Sequence, residues 1–226
     1  MRLIRFNILP PMFSTTAPPL QRLLVFARLP ELGKVKTRLA STLGEQRALA
    51  IYAAMIREVL QSIGESTPET EIEILWAPTS TANGDALRHA FGDRALAMQT
   101  GATLGDRLAM AFSERFFFLR TQKIVAIGVD DPRLPRAIID HAFALLDSCE
   151  WVVGPATDGG YYLIGCRAAA FDSSIFDGDI EWGSEKVLAT TLEKIRRSGS
   201  SVAMLPERSD IDTAEDFERY SRAVAP

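Results

Sequence analysis

Acidic side chains close three apolar runs of this 226-residue chain, and a cluster of cations closes a fourth. Asp130 and Asp131 follow Lys123-Ile124-Val125-Ala126-Ile127-Gly128-Val129, with Pro132 biasing Asp131 to an extended backbone. Asp158 stands in Ala156-Thr157-Asp158-Gly159-Gly160 after Trp151-Val152-Val153-Gly154-Pro155. Asp210 and Asp212 follow Val202-Ala203-Met204-Leu205; two apart, they share one side of an extended segment. Leu23-Leu24-Val25-Phe26-Ala27 runs into a loop with Arg28, Lys34, Lys36 and Arg38 against the single acid Glu31, with Gly33 free to turn and Thr37 able to donate. Carboxylates are hard oxygen ligands suited to Mg²⁺ or Mn²⁺, and clustered cations after a buried strand suit phosphate oxygens. If both converge, the charge developing on a diphosphate leaving group is neutralised, which is the chemistry of a nucleotide-dependent transferase.

Each motif also has a structural use. Asp before Pro and Asp before Gly are ordinary turn and hairpin signals. Asp106 and Thr103 suit a helix start, as do Thr213 and Asp216, and a basic loop can simply be solvated. Gly33-Lys34 is not a P-loop, because Arg28 occupies the first glycine position and Val35 the Ser/Thr position. His89 and His141 lie on separate expected helices and no Gly-x-Ser-x-Gly is present, so a hydrolase triad has no support.

The elements that must position these groups alternate. Apolar runs bounded by turn signals read as strands buried on both faces. The expected strands are 23–27, 71–76, 94–99, 123–129, 151–155 and 202–205. Leu49, Tyr52, Ala53, Ile56, Val59, Leu60 and Ile63 repeat at helical spacing within a crossover helix over 43–63, where Tyr52 reads as core. Pro78 to Gly84 reads as a turn and Ala86 to Phe91 as a short helix. Further helices are expected after Thr103, over 135–146 and from Ala214. Strand–helix alternation argues for a single three-layer α/β/α Rossmann-like domain with a mostly parallel mixed sheet over residues 22–226. Ligands of such sheets sit at the carboxyl ends of the strands, where these acids and cations fall.

With 47% apolar and 24% charged residues the composition is ordinary for a globular chain. The net charge of −4 argues against nucleic-acid binding, though not against one nucleotide. Cys149 and Cys166 have no metal or redox spacing and read as reduced thiols, and no apolar run reaches the length of a membrane span. Residues 1–21, with Pro10, Pro11, Pro18 and Pro19, read as a loose leader without a signal-peptide core, and Met12 is a second candidate start. The expected location is the cytoplasm.

The sequence resembles the bacterial DUF2064 proteins with the glycosyltransferase-A fold of the nucleotide-diphospho-sugar transferases. The matching stretches are Val25 to Arg28 with Gly33 to Leu39, Gly105 to Leu108, Gly128 to Leu134, Gly154 to Leu163, Trp182-Gly183, and Asp210 to Thr213. Lys36-Thr37-Arg38-Leu39 is also similar to the 2-phospholactate guanylyltransferases, which share that fold. Arg28 replaces the more usual lysine, Val129 replaces a small hydroxyl residue, and Arg133 is unusual at its position. The resemblance implies that Asp130 and Asp212 bind Mg²⁺ or Mn²⁺ and that Gly33, Lys36 and Arg38 lie against nucleotide phosphates, with Arg28, Lys34 and Thr37 in the same loop. It implies that Asp158, with Gly159, Gly160, Tyr161 and Trp182, meets the transferred group or acceptor. Asp158 and Asp131 are the expected catalytic carboxylates. The expected activity is glycosyl transfer from a nucleotide-diphosphate sugar to a small acceptor. The alternatives are nucleotidyl transfer from an NTP to a phosphate-bearing substrate and non-catalytic nucleotide binding.

Overall fold

The computed structural model describes residues 20–77, 91 and 95–224. The greater part of the expected leader, with Met12, the turn over 78–84 and the helix carrying His89 (apart from Phe91) lie outside the described residues.

Seven strands form one sheet: β1 (Gln21–Ala27), β2 (Thr70–Trp76), β3 (Ala95–Met98), β4 (Lys123–Ile127), β5 (Trp151–Pro155), β6 (Tyr161–Arg167) and β7 (Val202–Met204). Their spatial order is β3-β2-β1-β4-β6-β5-β7. All neighbours are parallel except β6, which runs antiparallel to both β4 and β5. The expected α/β class and mostly parallel sheet are therefore present, and the reversed strand is the one introduced by Asp158-Gly159-Gly160.

Successive residues of β1 face opposite layers, as the two-residue period of a strand requires. Leu23 and Val25 pack with Ile56, Val59 and Ile63 of α2 (Glu45–Ile63) and with Ile139 and Phe143 of a helix over Arg136–Leu145. Leu24 packs on the other side, with Leu108, Phe112 and Phe116 of the helix Leu104–Phe117 and Ile195 of the helix Val187–Arg197. In chain order the helices are α1 (Thr37–Leu43), α2, α3 (Leu104–Phe117), α4 (Arg136–Leu145), α5 (Val187–Arg197) and α6 (Ala214–Val224). The helix expected over 43–63 is α2, which starts at Glu45; Gly44 at φ 82° breaks the chain between it and the short α1 that precedes it.

Thr103 and Asp106 form the capping box that their spacing suggests, the Thr103 hydroxyl accepting from the Asp106 amide at 3.0 Å and the Asp106 carboxylate from the Thr103 amide at 2.9 Å. Among the described residues no helix is long and apolar enough to cross a membrane.

The β1–β4 pairing runs in register from Gln21↔Lys123 to Val25↔Ile127. The loop after Ala27 and the acids after Gly128 therefore leave the sheet at the same edge. Because β6 is reversed, Leu163 pairs with Ile127, and Tyr161 and Tyr162 come to that edge too.

Candidate active site

The loop after β1 is pinned from below. The Arg28 amide donates to the Tyr52 hydroxyl at 2.9 Å, and that hydroxyl donates to the Arg28 carbonyl at 3.2 Å. Leu29 and Val35 anchor the loop ends in the core, and Gly33 turns between them with φ 71°. Lys36 then takes a left-handed conformation, φ 46° and ψ 48°, just before α1. For a lysine this costs on the order of 1 kcal/mol, a strain that accumulates at sites under functional constraint.

The Lys36 ammonium lies 2.7 Å from an Asp130 oxygen and 3.0 Å from an Asp212 oxygen. Its side chain is 5% exposed, whereas the carboxylates are 50% and 40% exposed. Burial opposes its charge, but Asp130 and Asp212 outweigh burial and hold its pKa above the ordinary 10.5. Arg38 adds a 3.2 Å contact to the other Asp212 oxygen from an exposed position, a pair worth little by itself.

Two tethers bring Asp212 from the far end of the chain to Asp130. The Ile211 amide donates to the Asp130 carbonyl at 2.8 Å. Ile211 also packs with Leu39 of α1 and with Ala48, Ile51 and Met55 of α2, beside Phe217 and Tyr220 of α6. Thr213 and Asp216 cap the start of α6 through bonds of 2.8 and 3.2 Å, so helix initiation does not draw on the Asp212 side chain.

These groups open onto a cavity of about 470 Å³ lined by Arg28, Lys36, Thr37, Arg38, Arg107, Asp130 and Asp212. Cavities of this size hold small ligands and cofactors. Gln99 lies at its floor, buried, its amide nitrogen donating to the Leu75 and Ala27 carbonyls at 2.7 and 3.2 Å. A second cavity of about 210 Å³ shares Leu104, Gly128, Asp130, Tyr161 and Tyr162 with the first and adds Asp158, Gly160, Trp182 and Asp210. Trp182 stands edge-on to Tyr161 at 6.4 Å between ring centres.

The family model described as "Uncharacterized protein conserved in bacteria (DUF2064)" matches residues 64–184. The chain belongs to the DUF2064 family. No curated protein matches it. It is similar to the crystal structure of a candidate nucleotide-diphospho-sugar transferase from Desulfovibrio desulfuricans G20, with 32% identity and a TM-score of 0.85 over 91% of this chain and 87% of the other. A 4-diphosphocytidyl-2C-methyl-D-erythritol synthase from Anaerococcus prevotii DSM 20548 shares the fold at 9% identity and TM-score 0.62, over 92% of this chain and 97% of the other. A cytidylyltransferase from Leptospira borgpetersenii serovar Hardjo-bovis strain JB197 does so at 15% identity and TM-score 0.58, over 89% and 85%.

Within this DUF2064 site, Lys36, Arg38, Asp130 and Asp212 meet, and Arg28 and Thr37 line the same cavity. Lys34 is exposed, and neither it nor Gly33 lines either cavity; Gly33 serves the turn, where a β-carbon would come within 3.1 Å of the Glu45 carboxylate. Asp131, expected as a catalytic carboxylate, lines the smaller cavity. It is buried and ion-paired to Arg208, and its other oxygen accepts from the Arg133 amide at 3.1 Å. Both oxygens are thus engaged in holding the turn that carries Asp130.

Gly159, expected to meet the transferred group or acceptor, lines neither cavity. A β-carbon there would meet the Glu185 carbonyl at 2.2 Å, and its φ is +87°, so the glycine lets the turn dock on the chain before α5 instead of admitting a ligand. Its carbonyl accepts from the Leu188 amide at 2.9 Å. Gly159→Ala is expected to cost about 2 kcal/mol or more, read as a lowered urea midpoint with unchanged slope. Tyr52 is the contributor missed at sequence level: helical spacing puts it on the core face, and nothing local reveals that its hydroxyl reaches Arg28.

The donor set fits a small divalent cation. Two carboxylates converge on one cationic atom, half open to the larger cavity, and Mg²⁺ or Mn²⁺ takes one or two protein carboxylates with phosphate and water completing its shell. Among the described residues no cluster of three or more His, Cys, Asp or Glu gathers as a metal cage, so a bound phosphate would have to contribute ligands.

In the smaller cavity, burial and then the Asp158 and Asp130 charges raise the Asp210 carboxyl above its ordinary 3.8, against the pull of Lys36. The folded state thus keeps a proton that the unfolded state has released. The stability this group contributes is full below the ordinary value and is lost as pH rises through the raised one. Asp210→Asn is expected to gain on the wild type between about pH 4 and 7, with the smallest difference at the acid end, in denaturation midpoints measured across that range.

Proposed function

We propose that the protein is a metal-dependent transferase that moves a glycosyl group from a nucleotide-diphosphate sugar to a small acceptor. The observation that carries this reading is the meeting of Lys36 and Arg38 with Asp130 and Asp212 at the mouth of the cavity of about 470 Å³. Asp130 and Asp212 hold Mg²⁺ or Mn²⁺, and Lys36, Arg38, Arg28 and Thr37 hold the diphosphate. When bound, the metal supplies positive charge against the leaving diphosphate. The smaller cavity receives the sugar and acceptor between Gly160, Tyr161 and Trp182. Asp158, whose carboxylate accepts from the Gly160 amide at 2.8 Å, is held in one orientation to align the acceptor hydroxyl or take its proton. The similarity to the Desulfovibrio protein supports the donor class. Two unpaired cysteines and a nucleotide donor suit the cytoplasm.

A second reading, nucleotidyl transfer from an NTP, is favoured by one observation. Four cations (Arg28, Lys36, Arg38 and Arg107) line the larger cavity, enough for a triphosphate. Product analysis separates the two. Incubation with nucleotide sugars and NTPs in Mn²⁺ is expected to release free NDP from a sugar donor. Pyrophosphate release from an NTP, with no NDP formed, would overturn the first reading in favour of the second.

A further inference from the structure

Both metal-facing carboxylates already hold a cation that belongs to the chain. The Lys36 ammonium is within 3.0 Å of one oxygen of each, and it is the buried member of the trio, 5% exposed against 50% for Asp130 and 40% for Asp212. A divalent ion held by these two carboxylates would need metal–oxygen distances of about 2.1 Å, so it and the ammonium would crowd at like charge beside the same two acids. Only one of them can occupy that seat.

We propose that Lys36 is a built-in stand-in for the divalent cation, neutralising Asp130 and Asp212 until a diphosphate draws its ammonium into the cavity, so that metal enters together with the phosphates and not before them. This rests on the metal–diphosphate reading of the site. The geometry suits an exchange in three ways. Lys36 lines the larger cavity as well as contacting both acids, so its flexible stem can redirect the ammonium without moving the backbone. The backbone is already committed, since the left-handed conformation at φ 46° points the lysine from the loop with no side-chain cap at the start of α1. The charges also balance in both arrangements. With ammonium in place, Lys36 and Arg38 offset the two carboxylates. With metal in place, the ion offsets the carboxylates and both side chains are released to the phosphates.

The consequence is an order of binding. Apo protein should refuse Mn²⁺ although its carboxylates are solvent-accessible, and removing the lysine should create a nucleotide-independent metal site. Mn²⁺ binding to the full chain, followed by electron paramagnetic resonance with and without inorganic pyrophosphate, tests this. Wild type is expected to bind Mn²⁺ at least about ten-fold more tightly with pyrophosphate than without. Lys36→Met is expected to bind Mn²⁺ alone at least about ten-fold more tightly than wild type alone, and to lose most of the pyrophosphate effect. Lys36→Arg, which keeps the charge, should stay weak in Mn²⁺ alone. If Lys36→Met, folded by circular dichroism, binds Mn²⁺ no better than wild type, the stand-in role is overturned. Should that variant not fold, wild type alone binding Mn²⁺ as tightly as with pyrophosphate overturns it equally. If neither wild type with pyrophosphate nor Lys36→Met holds Mn²⁺, the metal site itself falls, an outcome distinct from loss of the exchange alone.

Discussion

Asp130→Asn is expected to lower turnover on the order of 100- to 1000-fold, the range seen when one preorganised electrostatic group is removed from a transition-state site. The substitution keeps shape and removes one charge. Lys36 keeps Asp212 as a partner, and the Asp130 carbonyl still receives the Ile211 amide, so the local fold stays tethered. Because the Asp130 side chain is half exposed, the stability change should be small. Loss therefore falls on function: Mn²⁺-dependent nucleotide binding, measured by calorimetry, should vanish while the unfolding midpoint stays near that of wild type. A variant whose Mn²⁺-dependent binding equals wild type would remove Asp130 from the site.

The largest expected loss of stability lies at the opposite edge of the sheet. Glu73 is ion-paired to Arg22 and to Arg115 at 2.7 Å, with all three side chains no more than 7% exposed. Arg22 also donates to Thr121 at 2.8 Å, and Arg115 donates a second bond to Glu73 at 3.1 Å. Such a group stabilises only while it is complete. Glu73→Gln removes the one carboxylate that both buried guanidinium groups share, leaving Arg22 with Glu71 at 2.7 Å and Arg115 with Glu114 at 2.8 Å, and is expected to cost about 3 kcal/mol. Chemical denaturation measures it; a loss below about 1 kcal/mol would mean that water reaches the arginines. Since Arg22 begins β1 while the candidate site lies past its end, folded Glu73→Gln should bind nucleotide as wild type does. The pair of variants separates fold from site: one keeps stability and loses binding, the other the reverse.

Much of this arrangement was legible because strand ends are legible. An apolar run stopped by Asp130, and another opening into Arg28 to Arg38, locate both groups at strand ends, and parallel pairing then puts them on one edge. Asp210 and Asp212 were legible together after a final strand, but only the family resemblance picked out Asp212, which meets Lys36 while Asp210 lines the smaller cavity. What remained hidden depends on partners far along the chain. Asp131 and Asp130 are adjacent in sequence, yet Arg208, 77 residues on from Asp131, captures the one while Lys36 meets the other. Local chemistry does not predict which of two neighbouring acids is captured. Gly159 suggests a ligand only as long as the approach of Glu185 is unknown, whereas Gly160 does line the smaller cavity. Tyr52 fits a core stripe and a loop anchor equally well, since its ring satisfies the first and its hydroxyl the second. The break at Gly44 was masked because residues on both sides favour helix.

The claim on which the rest depends is that one site binds a divalent ion and a nucleotide diphosphate together. Thermal unfolding of the wild-type chain with ADP, CDP, GDP and UDP, each with and without Mn²⁺, tests it most directly. At least one nucleotide is predicted to raise the midpoint by several degrees with Mn²⁺ and by little without it, with Mn²⁺ alone having little effect. No shift with any of the four, or the same shift with and without Mn²⁺, would contradict it.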